Sequence, residues 1–368
     1  MRKNVMEIVH STIKKDFESS CFFRTSVSPP NRKAIIRITD VCNARCVHCF
    51  ISADNRGESM SLENFRDFVL PQLHQCQVTR VTLTGGEPFL HPNILEIIHL
   101  LTDSGIRTGV CTNANVISEK QIFNLASNRN VHINVSLHGF TPESHDMFMG
   151  KKGAFDTCIK TIEQLSEFNL IQGFLVTPNA FADVKEYENL CEFAIKSNAK
   201  YVLMNPLSSM GRGYDAIQKY AASEEKLRKI RTSLQKFSDR IQLVFIRFPN
   251  ENLPLGSCEA GNIFYVFVNG DVTVCAYLVF AANTPESCYK PKDFILGNLF
   301  QEADIAKKLE TFQIPGKDKI GQNETCKSCE KNPICGKGCP SAVIYSGKMV
   351  GDIDADVCPK HRLIPNDP

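Results

Sequence analysis

A chain of 368 residues with 43% hydrophobic and 22% charged residues carries enough apolar material for a barrel-sized core plus an appended module, which excludes wholesale disorder. A formal net charge of +2 without long Lys/Arg runs gives no electrostatic footprint for nucleic acid, and no stretch has the length of a membrane span or the apolar h-region of a signal peptide, so no membrane partner and a cytoplasmic location are expected. Sixteen cysteines in a chain without an export signal argue for metal ligation over a disulfide framework.

Residues 1–33 read as a polar helix and linker ending in the breaker Pro29-Pro30. Short β-branched runs then alternate with helix-period stretches. Strands are predicted over 34–39, 80–84, 108–112, 132–137, 173–177 and 201–205, and helices over 61–74, 93–104, 118–127, 154–168, 184–197 and 223–237. Six βα steps imply an α/β fold with a parallel sheet, a partial (β/α)6 TIM-like barrel whose chemistry sits at strand C-terminal ends. After Leu255 the periodicity stops and Cys, Gly and Pro dominate, with short strands expected over 263–268 and 272–277. A region so poor in regular apolar faces needs ligands to hold it. The predicted division is a lead-in at 1–33, a barrel at 34–240 and a cysteine-rich module at 241–368.

The first predicted strand runs directly into Cys42, Cys46 and Cys49, spaced CxxxCxxC. Three thiolates this close suit three irons of a four-iron cluster, leaving the fourth open to a small molecule. A structural zinc knuckle is the bland alternative, but zinc favours paired cysteines with a second pair downstream. The turn Gly85-Gly86-Glu87-Pro88 follows the second strand. Together these motifs resemble the radical S-adenosylmethionine (SAM) superfamily over residues 34 to about 240. The resemblance implies that SAM chelates the open iron, and that one electron from the cluster cleaves it to a 5'-deoxyadenosyl radical. It assigns Glu87 to the SAM ammonium, Gly85, Gly86 and Pro88 to a turn approaching the cofactor, and His48 to the adenine. Ser136 is then the ribose-binding serine, and Thr112-Asn113 a flanking Thr-Asn-Gly with Ala114 in place of glycine.

The downstream cysteines, Cys258, Cys275, Cys326, Cys329, Cys335, Cys339 and Cys358, resemble in spacing the SPASM module, which carries two auxiliary 4Fe-4S clusters. The resemblance groups Cys326, Cys329, Cys335 and Cys358 in one cluster and Cys258, Cys275 and Cys339 in the other, giving three clusters in all. The second set lacks a fourth cysteine. Either it has an open or oxygen-ligated iron, or Cys288 reaches back. Of the cysteines left over, Cys111 lies at a strand end facing the expected site and is a candidate hydrogen-atom donor. Arg212, in Met210-Gly211-Arg212-Gly213 after the sixth strand, is a candidate for gripping a substrate carboxylate.

The expected reaction is hydrogen abstraction from an unreactive carbon of a ribosomally made peptide or protein, giving a cross-link, oxidation or epimerisation. The alternative is a small-molecule radical enzyme of the same architecture: a sugar dehydrogenase, sugar epimerase or porphyrin side-chain decarboxylase. Sulfatase maturation is disfavoured, since Ala276 stands where such maturases place an aspartate. A flavodoxin or ferredoxin is expected to supply the electron. With 33 residues before the first strand, leader-peptide recognition is assigned to a separate protein.

Overall fold

The computed structural model describes residues 18–19, 27–258 and 260–361. The helix expected within 1–33, and Cys21, lie outside the described residues. Seven strands, β1 (Arg32–Thr39), β2 (Val78–Gly85), β3 (Arg107–Thr112), β4 (Val131–Ser136), β5 (Ile171–Val176), β6 (Tyr201–Met204) and β7 (Gln242–Phe245), lie side by side in chain order, all parallel. Each crossover carries a helix. The segment 62–75 (α1), which contains a π-helical stretch at Phe65–Val69, follows β1; α2 (Ile94–Asp103) follows β2, and α3 (Glu119–Ala126) follows β3. Next come α4 (Pro142–Met149), α5 (Ala154–Glu167), α6 (Val184–Lys196), α7 (Arg212–Tyr220) and α8 (Glu224–Leu234). Burial explains the pattern: α2 turns Ile94, Ile97, Ile98 and Leu101 to the core. Capping boxes at Ser118/Gln121 and Asp183/Glu186 start α3 and α6.

All six predicted strands are present, and the sheet extends past both ends of the set. β7 adds a parallel neighbour after β6, and β8 (Ile263–Val266) pairs in parallel with β1. The two edges do not pair with each other, so the sheet stays open. Beyond β8, β9 (Asp271–Thr273) and β10 (Gly297–Asn298) run antiparallel. The strand predicted over 272–277 therefore stops at Thr273. Residues 276–282 form α9 (Ala276–Ala282), an all-apolar run whose type periodicity alone does not decide. α10 (Ile305–Thr311) follows, and α11 (Pro340–Tyr345) packs against α9.

Arg247, just past β7, joins the C-terminal third to the sheet. Its buried guanidinium grips both carboxylate oxygens of Asp354 and reaches Asp356 and the Tyr345 hydroxyl. Among the described residues no helix is long and apolar enough to cross a membrane.

Candidate active site

The loop bearing Cys42, Cys46 and Cys49 leaves the C-terminal end of β1 with little regular structure of its own, so its neighbours must hold it. Arg45 and Val47 N–H donate to the Met149 and Phe148 carbonyls at the end of α4 (3.2 and 3.0 Å), and the Arg212 N–H at the start of α7 donates to the Cys49 carbonyl (3.0 Å). Glycines allow the close approach. A Cβ on Gly86 would stand 2.3 Å from the Val41 oxygen, on Gly150 2.4 Å from the Arg45 oxygen, and on Gly211 2.4 Å from the Cys49 and Phe50 oxygens. Gly150 and Gly211 also adopt φ of +60° and +54°, which a side chain would strain. Arg212 completes the clamp, its Nε donating to the Cys46 carbonyl and its Nη1 to the Ala53 carbonyl, both at 2.8 Å. The side chain expected to grip a substrate carboxylate thus has two donors fixed on the cysteine loop.

Gly85 and Gly86 line the cavity, but their missing side chains first serve packing against β1: a Cβ on Gly85 would meet the Thr39 oxygen at 2.3 Å. Glu87 is 0% exposed and does not line the cavity. Its carboxylate accepts from the Thr112 hydroxyl (2.7 Å), the Asn113 N–H (2.8 Å) and the Phe89 N–H (3.1 Å), tying the β2 turn to the end of β3. Burial pushes its pKa up to about 7 against these bonds. Pro88 opens the buried 3-10 turn Pro88–Leu90 beneath it. Asn113 donates to the Asn43 side chain at 2.8 Å and lies 3.9 Å from the Cys42 sulfur. Ala114, in the glycine position of the motif, adopts φ +58°.

His48 stacks on Phe148 (centroids 4.6 Å apart, 7° between planes) and meets the edge of His138 at 4.3 Å. Burial lowers its pKa to about 3, so the ring is neutral, and its Nδ1 is buried without a hydrogen-bond partner. Asp146 accepts from the Gly153 and Phe155 N–H groups and caps α5.

The three cysteines open into a cavity of about 420 Å³ that runs from the loop into the concave side of the sheet. Asn113, Ser136, Cys111 and Arg212 line it, as does Asn205, whose Oδ1 is buried and unpartnered. Burial pushes the Cys42 and Cys111 thiols up to about 11, so Cys111 keeps its S–H at neutral pH. Tyr265, Tyr277 and Phe280 supply a wall from the C-terminal third. Sequence reasoning missed these three, and no local motif marks them; only the β8–β1 pairing brings them in.

The residues fit a cluster and an organic ligand. The loop offers three sulfur donors set among Ala44, Ala53, Met149 and Ala154, and the orphaned polar atoms of His48 and Asn205 await a partner. Among the described residues no three His, Cys, Asp or Glu side chains converge tightly enough for a single metal ion.

In the downstream array, the Cys335 sulfur accepts the Leu255 and Lys337 N–H groups (both 3.4 Å) and the Cys326 sulfur accepts the Asn323 amide (3.3 Å). Cys358 lies within electrostatic reach of Cys326 and Cys335. Cys275 and Cys339 each cap the N-terminus of a helix in the packed α9–α11 pair, and Cys258 is exposed. Cys288 donates to the Gly347 carbonyl at 3.7 Å, beyond the C-terminal end of α11. Six residues of helix, about 9 Å at 1.5 Å per residue, separate that end from Cys339. Cys288 is therefore poorly placed to complete the Cys339 set.

The Radical SAM superfamily profile matches residues 36–194. The antilisterial bacteriocin subtilosin biosynthesis protein AlbA of Bacillus subtilis (strain 168) is 26% identical over 80% of this chain and 66% of its own length. The mycofactocin maturase MftC of Mycolicibacterium smegmatis is 24% identical over 84% of this chain and 78% of its own. Streptococcus suis SuiB, solved with its precursor peptide SuiA, shares the fold with a TM-score of 0.70 at 18% identity, over 96% of this chain and 79% of that one. This chain thus spans about two thirds of the subtilosin protein.

Proposed function

The chain belongs to the radical SAM superfamily and carries a SPASM-type extension, and on that premise we propose that it abstracts a hydrogen atom from a ribosomally made peptide or protein, leading to a cross-link, oxidation or epimerisation. The observation that carries this reading is the single cavity shared by the three cysteines, the strand-end residues Asn113 and Ser136, and an aromatic wall from the C-terminal third. The names of the relatives, a bacteriocin biosynthesis protein, a mycofactocin maturase and one enzyme solved with its precursor peptide, favour a peptide over a sugar or porphyrin.

The family implies a 4Fe-4S cluster on Cys42, Cys46 and Cys49 together with SAM; when bound, they supply one-electron cleavage to a 5'-deoxyadenosyl radical. The protein's part is to hold and shield. Gly86, Gly150, Gly211 and Arg212 fix the cysteine loop, Glu87 fixes the Thr112–Asn113 turn beside it, and Asn113, Ser136 and the neutral His48 offer polar contacts to an adenosyl group. Cys111 places a thiol S–H in the lumen, as an epimerisation would use. Two auxiliary clusters are assigned to Cys326, Cys329, Cys335 and Cys358, and to Cys258, Cys275 and Cys339 with an open or oxygen ligand. A flavodoxin or ferredoxin supplies the electron in the cytoplasm, and a separate protein presents the leader peptide.

The test is co-expression with each short reading frame beside the gene, followed by mass spectrometry and chiral amino-acid analysis of the peptide. A product that has lost two hydrogens or gained a D-residue is expected. Unchanged peptides, with turnover of a sugar or porphyrin by the same preparation, would replace the peptide reading with the small-molecule one.

A further inference from the structure

One register row crosses four adjacent strands below the cysteine loop. Cys111 on β3 pairs with Asn134 on β4, Asn134 with Gly173 on β5, and Gly173 with Tyr201 on β6. Partners in parallel strands project to the same face, and Cys111, Asn134 and Tyr201 all line the cavity. The glycine lets the row close up. A Cβ on Gly173 would stand 2.4 Å from Cε2 of Tyr201, so the tyrosine ring lies over β5 in the space a side chain would take. From there its hydroxyl donates to the Asn134 Oδ1 at 2.6 Å.

With Oδ1 taken, Asn134 turns the other end of its amide toward β3, where it acts on the Cys111 sulfur as a hydrogen-bond donor. A thiol that accepts in this way has not spent its own hydrogen, which is left for the lumen. Burial keeps that hydrogen in place, pushing the thiol up to about 11 against the opposing pull of Lys33 and Asn134. Cys111 also sits at a defined depth. Asn113, two residues further on and lining the same cavity, has its amide 3.9 Å from the Cys42 sulfur, and two residue steps span about 7 Å. A substrate carbon in that interval has the cysteine loop on one side and the Cys111 thiol on the other.

We infer that Asn134 and Tyr201 are positioning residues for hydrogen return from Cys111, so that the abstraction ends in epimerisation rather than in a cross-link or an oxidation. In the returning step the S–H bond of Cys111 breaks as a C–H bond forms on the opposite face of the substrate radical, leaving a thiyl. One electron from an iron-sulfur or flavin protein and one proton from solvent restore the thiol. The peptide loses no hydrogen overall, and the configuration at its carbon is inverted. This inference rests on the hydrogen abstraction proposed above.

The test uses the anaerobically reconstituted full chain and the reading-frame peptide that co-expression alters, prepared fully deuterated on carbon and turned over in ordinary water. Deuterium in 5'-deoxyadenosine counts abstraction. A peptide carbon that exchanges one deuterium for one hydrogen, with a D-residue by chiral analysis, counts return. One return per abstraction is expected of the wild type. Cys111→Ser fills the same space with an O–H bond too strong to give up its hydrogen atom, and should bring that ratio to background. Tyr201→Phe and Asn134→Leu should lower it about tenfold or more, as misplacing a reacting group does. A merely structural role would lower both counts together and leave the ratio unchanged. Tyr201→Phe keeps its ring over Gly173, so it decides the matter if Asn134→Leu fails to fold. The inference is overturned if the wild-type peptide loses two deuteriums and takes back no hydrogen, if Cys111→Ser keeps the ratio, or if a folded Tyr201→Phe or Asn134→Leu variant keeps it. The function proposed above survives each of those results. If no peptide passes deuterium to 5'-deoxyadenosine, that function falls and this inference falls with it.

Discussion

The loop of Cys42, Cys46 and Cys49 is fastened from several sides by backbone bonds and by glycines that admit neighbouring carbonyls, whereas the C-terminal cysteines are spread over residues 258–358, with Cys275 and Cys339 at the starts of short helices and Cys326 within one. Cys42 is buried against alanines and Met149, while Cys258 is exposed. On the proposed reading, the first site is held by the fold itself and the second also by the clusters it would bind. A chain can thus keep its reactive centre preformed while leaving an accessory region to metal-driven folding.

The sharpest way to break this comparison is to strip the metal. Ligation free energies on the order of 10 kcal/mol hold such modules together, so chelation should make residues 255–361 protease-sensitive while the sheet from β1 to β7 stays resistant. Equal digestion of both regions would erase the distinction. Cys358→Ala should reproduce this effect in part, and Cys42→Ala should not. Arg247→Ala comes next. It leaves Asp354 buried without its partner, and Asp354 also accepts the Cys339 N–H at 2.9 Å, so a loss of roughly 3–5 kcal/mol in denaturant unfolding is expected, with looser auxiliary iron.

Gly150→Ala and Gly211→Ala act on the other side of the comparison. Each forces a side chain into positive φ and against a carbonyl of the cysteine loop, at a cost of about 1–3 kcal/mol. SAM cleavage should fall by at least tenfold while about eight irons remain bound, as counted by iron and sulfide assay. The smallest effect concerns Glu87. Its pKa is raised from 4.5 to about 7 in the folded protein, so the folded state holds the extra proton between those values. Its contribution to stability is present below about pH 4.5 and is lost as pH rises through about 7. The stability difference between wild type and Glu87→Gln should shift by roughly 1–3 kcal/mol over that window. A flat difference would show that Glu87 titrates normally.

Much of this architecture was legible in the residues. The βα alternation placed all six expected strands, and CxxxCxxC with Gly85-Gly86-Glu87-Pro88 marked the face where the cavity opens. What stayed hidden depends on contacts distant in sequence. β8 joins β1 across more than two hundred residues, carrying Tyr265 to the cavity, and four-residue β7 is too short to stand out after α8. The roles of Gly86, Glu87 and Arg212 as fasteners of the cysteine loop also needed geometry, because a glycine or a buried carboxylate reads the same in a motif whether it faces a ligand or a backbone carbonyl.

The most direct test of the central claim is to reduce the anaerobically reconstituted protein with dithionite, add SAM, and quantify 5'-deoxyadenosine alongside iron for the wild type and for Cys42→Ala/Cys46→Ala/Cys49→Ala. The expected result is 5'-deoxyadenosine from the wild type at about twelve irons per chain, and none from the triple variant at about eight. A wild type that binds iron yet releases no 5'-deoxyadenosine, or a triple variant that still releases it, would show that Cys42, Cys46 and Cys49 do not hold a SAM-cleaving cluster.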